Sequence, residues 1–136
     1  DSAHSGRPMN KVEAELVDTG FAFRSNAVLT QVMWEAGKLT VTLTAQGDQT
    51  VRVHFSDLAG FRVLDEGNLM EFWPTCAMGR GLLFDIKKHG WLDFEITRPG
   101  FVTGQCAQVH EYLLAGINEC INVLTWAEPS VEILSA

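Results

Sequence analysis

The sequence predicts a mainly β fold: an antiparallel meander of seven to nine strands, curled into a sandwich or partly open barrel, with one short helix near 66–73. Three observations predict it. Apolar and polar residues alternate with period two along most of the chain, as half-buried strands require. Turn-forming pairs separate the alternating runs. The 136 residues suit one domain and are few for two. The alternative is an α+β fold with a helix across about 105–116.

The elements follow in order. "AVLTQVMWEAG" reads as a strand that Gly37 turns into the next. "KLTVTLTAQ" sets Leu39, Val41 and Leu43 on one face against Thr40, Thr42 and Thr44 on the other. "TVRVHFSD" alternates Val51, Val53 and Phe55 with Arg52, His54 and Ser56, and Gly47-Asp48 supplies the hairpin turn before it. These three strands form a meander over about 28–56. Further on, "LLFDIKKHG" faces Leu82, Phe84 and Ile86 one way. "HG" turns it, and "WLDFEITRPG" reads as the returning strand, with Leu92, Phe94 and Ile96 on one side and Trp91, Asp93 and Glu95 on the other. Pro99-Gly100 ends it. "AQVHEYLLAGI" and "CINVLTWAE" pair around "NE", and "VEIL" adds a short last strand beyond Pro129.

The helix is read from "FRVLDEGNLMEFW". Asp65 is placed to cap a first turn, Glu66 to favour its dipole, and Leu69, Phe72 and Trp73 to share one face. Pro74 is expected to stop it, because proline disfavours α at the residue before it.

Residues 1–8 read as a disordered end or a remnant of expression, with Met9 as the natural start and residues 9–136 as one globular domain; a processed precursor is the rival reading. No apolar run approaches the roughly 20 residues that span a bilayer, and the N-terminus lacks the apolar centre of a secretory signal. The net charge is −7, from 17 acidic and 10 basic residues. That disfavours nucleic acid and anionic lipid, which need clustered Lys and Arg, and favours a basic partner. Cys76, Cys106 and Cys120 are odd in number and widely spaced, so reduced thiols in a reducing compartment are expected.

No constellation points to catalysis, a metal or a cofactor. His4, His54, His89 and His110 show none of the short spacings of a metal site, although His54 and His110 could converge on strands. Asp85, Asp93 and Glu95 would share one sheet face, as an acid/base set or as a salt-bridged surface. Trp34, Trp73, Trp91 and Trp126 are many for this length, and they are not all expected in the core. Aromatics beside carboxylates suit an interface that receives Lys or Arg. The candidate partner-binding residues are therefore Glu66, Glu71, Trp91, Asp93 and Glu95, with Asp65 beside them.

"FRVLDEGNLMEFW", "GWLDFEITRPGF" and "EYLLAGINECINVLTWAEPSVEI" together resemble small bacterial immunity proteins encoded beside polymorphic or secreted toxins, over roughly residues 55–134. The resemblance implies a cytoplasmic inhibitor that binds a cognate toxin and has no catalysis of its own. Such proteins are diverse in fold and in their toxin-facing residues, so it assigns no site. Two other functions compete with this one. The first is a β-barrel or sandwich binding a small apolar ligand among residues such as Trp34, Phe84 and Phe94. The second is a small hydrolase or isomerase using Asp93, Glu95 or His110.

Overall fold

The computed structural model describes residues 10–21, 27–45, 49–77, 80–101 and 108–135. Among them are nine strands: β1 (Glu13–Leu16), β2 (Ala27–Glu35), β3 (Lys38–Ala45), β4 (Gln49–Phe55), β5 (Leu58–Asp65), β6 (Leu83–Lys88), β7 (His110–Leu114), β8 (Glu119–Thr125) and β9 (Ser130–Ser135). A 3-10 turn (Glu66–Asn68) and two short helices, α1 (Trp73–Cys76) and α2 (Trp91–Glu95), complete the inventory. No described helix is long and apolar enough to cross a membrane.

The strands form two open antiparallel sheets, a sandwich rather than a closed barrel. One has the order β1-β6-β7-β8-β5 and the other β2-β3-β4-β9. The meander expected over 28–56 is present as β2, β3 and β4. Its Gly37 turn is kept, with Gly37 at φ 84, where a side chain would be strained. The Gly47-Asp48 turn lies outside the described residues.

Alternation fixes the core. Leu39, Val41, Leu43, Val51, Val53 and Phe55 of the four-stranded sheet pack on Leu83, Tyr112, Leu114, Ile121 and Val123 of the five-stranded one. The intervening Thr40, Arg52 and His54 face out. The five-stranded sheet is covered on its other face too. There Phe84, Ile86, Leu113 and Cys120 meet Val12, Leu69, Phe72 and Cys76 in a second apolar cluster.

Four expectations are corrected. The helix over 66–73 is broken in two, because Gly67 and Asn68 are poor helix formers and Leu69 takes φ −128. Asp65 does cap it, accepting from the Gly67 amide at 2.8 Å. Pro74 does not stop a helix but sits in the first turn of α1, where its missing N–H costs nothing. The strand over "WLDFEITRPG" is helix α2. "HG" does break the chain, with His89 at φ 65, but Asp93 then reaches back to the His89 amide at 2.7 Å. That contact runs from the third residue of the helix to the amide before the Gly90 N-cap, and it ties the first turn to the chain that enters it. The alternative helix across 105–116 is excluded over its described part, since His110–Leu114 is strand β7.

Candidate interaction face

The outer face of the five-stranded sheet has two halves. Pairing across the sheet aligns Phe84, Leu113, Asn122 and Arg62 in one row and Ile86, Glu111, Leu124 and Gly60 in the next. Phe84, Leu113 and Ile86, from the β6 and β7 ends of these rows, make the apolar half under the 66–76 segment. Glu111, Asn122 and Arg62 make the polar half, which lies under α2.

Glu111 is the centre of this second half and is 1% exposed. Its Oε1 accepts from the Leu92 amide at 2.8 Å, and its Oε2 from the Trp91 amide at 3.0 Å. Asn122 Nδ2 donates to the same Oε2 at 3.0 Å. Arg62 Nε donates in turn to Asn122 Oδ1 at 2.9 Å. Burial pushes the Glu111 carboxyl up, and these donors with the Arg62 charge only partly offset that push. Arg62 itself is held below the usual guanidinium range, because burial opposes its charge more than nearby Glu111, Glu71 and Glu95 favour it.

Trp91 closes the cluster. The Arg62 guanidinium stacks 5.1 Å from its ring centroid, and the far edge of the indole lies over Gly60. Its Nε1 donates to Glu95 Oε1 at 3.2 Å, while Glu95 Oε2 accepts from Arg98 Nε at 2.7 Å. Beyond these anchors α2 points outward. Phe94 is 71% exposed and Ile96 47%; Met70, beside Glu71, is 59% exposed.

Of the residues named from sequence, Glu71, Trp91 and Glu95 gather around Arg62. Asp65 and Glu66 lie farther along, at the end of β5, where the Glu66 amide donates to Asn118 O at 2.7 Å. Asp93 stands at the start of α2, bound to the His89 amide. The three carboxylates expected on one sheet face do not share it. Asp85 points to the opposite side from Phe84 and Ile86 and pairs with Lys87 at 2.9 Å, whereas Asp93 and Glu95 belong to α2.

The competing sites do not assemble from their named residues. His110 shares the face of Tyr112, with ring centroids 6.5 Å apart, so it is on the other side of the sheet from Asp93 and Glu95. His54 lies outside the other sheet, bonded to Glu132 at 2.9 Å, and does not meet His110. Trp34 is exposed on β2, Phe84 is in the second apolar cluster and Phe94 is exposed on α2, so they line no common cavity. Among the described residues no group of three His, Cys, Asp or Glu could hold a metal. Cys76 and Cys120 are buried free thiols, pushed up by burial to about 12 and about 11; Cys106 lies outside the described residues. None of the four tryptophans is fully buried.

Sequence reading missed Glu111, Asn122 and Arg62. A signal exists: Glu111 takes the same strand face as Leu113, and Asn122 interrupts the apolar run of "CINVLT". A polar residue in that phase needs a partner brought by the fold. Against known proteins, no family model matches the chain, and no curated protein or solved structure matches it.

Proposed function

We propose that this is a non-catalytic binding protein whose α2 face engages a partner protein with a basic surface. The observation that carries this reading is Phe94, a large aromatic left 71% exposed on an element whose other side chains are tied down. Exposed apolar groups set among charges are a recurrent feature of interface centres and their rims. Asp93 and Glu95 flank it in sequence and Glu71 lies near Arg62, which makes the face acidic, and the net charge of −7 would steer a basic partner toward it.

The resemblance to immunity proteins supports a narrower version. The partner is then a cognate bacterial toxin, the action is occlusion of its working surface, and the place is the cytoplasm. The test is association with the product of a neighbouring toxin gene, followed at several ionic strengths. Glu71→Lys is the cleanest variant, because this carboxylate makes no hydrogen bond or ion pair among the described residues. Association should slow at low salt and slow less at high salt, since screening shortens to about 8 Å at physiological ionic strength. An unchanged low-salt rate would remove this face from consideration.

A further inference from the structure

We propose that Glu111 is the positioning residue of the α2 face: its buried carboxyl group holds Gly90–Leu92 on the sheet and so sets Phe94 and Ile96 out as a fixed apolar knob. The knob's use, reception by an apolar side chain flanked by Lys or Arg, rests on the binding role proposed above.

The helix has little else to hold it. It is five residues long and buries none of them fully, and a single turn does not persist in water without outside support. Apolar packing is thin: Trp91 and Leu92 are half-buried, and Asp93 and Phe94 are exposed. The Glu111 carboxyl meets its first two free amides with two oxygens, and Asn122 and Arg62 fix the carboxyl from behind.

The backbone is shaped for this contact. A Cβ at Gly90 would lie 2.7 and 2.9 Å from the two Glu111 oxygens and 2.6 Å from Ile86 Cγ2. Gly90 has φ −96, an ordinary value for any residue, so space alone requires glycine there. At Gly60 an added Cβ would meet the edge of the Trp91 ring at 3.9 Å, an ordinary contact, so that position does not require glycine.

The direction of the contacts explains why a carboxyl group serves here. Apolar packing tolerates a slide or a rotation, whereas two hydrogen bonds from consecutive amides to one carboxyl group fix both. A knob fixed before binding loses less freedom on binding. The carboxylates flanking it in sequence are fixed as well, with Asp93 on His89 and Glu95 on Trp91 and Arg98.

Amide hydrogen exchange of the free protein tests this without any partner. In Glu111→Gln an amide nitrogen replaces one acceptor and faces donors. The Trp91, Leu92 and Phe94 amides should exchange about 10–100-fold faster, the cost of a buried donor left without its acceptor, while Tyr112 and Val123 keep their rates. Gly90→Ala, which displaces the carboxyl without altering it, should give the same local pattern, and Phe94→Ala should not. The proposal is overturned if the α2 amides keep their rates in both variants, or speed up only together with the sheet amides. A second arm uses a short synthetic peptide with leucine between arginines. Weaker binding by Glu111→Gln than by the parent supports positioning, and equal binding by a loosened helix overturns it. Failure of the parent to bind any such peptide counts against the binding role alone, because the exchange result stands apart from it.

Discussion

The 66–76 segment and α2 cover the same face of the same sheet and are held to it by opposite means. The first is held by apolar burial: Leu69, Phe72 and Cys76 are each 0% exposed. The second buries none of its residues fully and is held by a carboxyl group that the sheet presents from below. The difference shows in what remains outside. The 66–76 segment spends its large side chains inward, apart from Met70, and helix α2 leaves Phe94 and Ile96 in solvent. An element anchored by polar contacts keeps its apolar side chains available to a partner.

Truncation should separate the two regions most sharply. Phe72→Ala removes a fully buried ring and should lower unfolding free energy by about 3–5 kcal/mol, measured by chemical denaturation. Phe94→Ala, in the same experiment, should change it by less than about 0.5 kcal/mol. Comparable losses at the two sites would mean that α2 is also held by apolar burial. Trp73 falls between them. It is half-buried against the second cluster, and its Nε1 donates to Glu66 O at 2.8 Å.

A smaller loss, of about 1–3 kcal/mol, is expected for Glu111→Gln, the cost of a mismatched buried hydrogen-bonding group. Its pH dependence sharpens the comparison further. The raised Glu111 carboxyl keeps a proton that the unfolded chain has already released. Its contribution to stability is therefore fully present below the unfolded value of about 4.3 and is lost as pH rises through the folded one. Unfolding of wild type and Glu111→Gln across this window should show wild type losing ground to the variant as pH rises. Wild type gaining ground would mean that the donors outweigh burial.

The smallest effect is expected at the thiols. Cys76→Ala and Cys120→Ala should lower stability modestly through lost packing, and α2 exchange should not respond to either.

Most of the fold was legible because alternation survives translation into structure. The β2-β3-β4 meander, β6, and the pairing of β7 with β8 all follow the apolar phase read from the sequence. What failed did so for local reasons. "WLDFEITR" alternates like a strand, but the side chain of Asp93 turns back to His89 and makes a helix of it. Pro74 reads as a terminator by the rule for the residue before it, yet proline is equally at home in a first turn. The candidate site was half legible. Glu71, Trp91 and Glu95 were named for charge and aromaticity, and the fold does gather them. Their organiser was not named, because Arg62, Glu111 and Asn122 are distant in sequence and acquire meaning only when β5, β7 and β8 align them.

The claim that binds these observations is that the α2 face receives a cationic partner. Its most direct test is a two-dimensional NMR titration of the protein with the leucine–arginine peptide at low salt. The account predicts that the largest shifts fall on the amides of Glu71, Trp91, Phe94 and Ile96, and that they shrink as salt is added. Shifts centred instead on the β9 edge or on the outer face of the four-stranded sheet, with α2 silent, would contradict it.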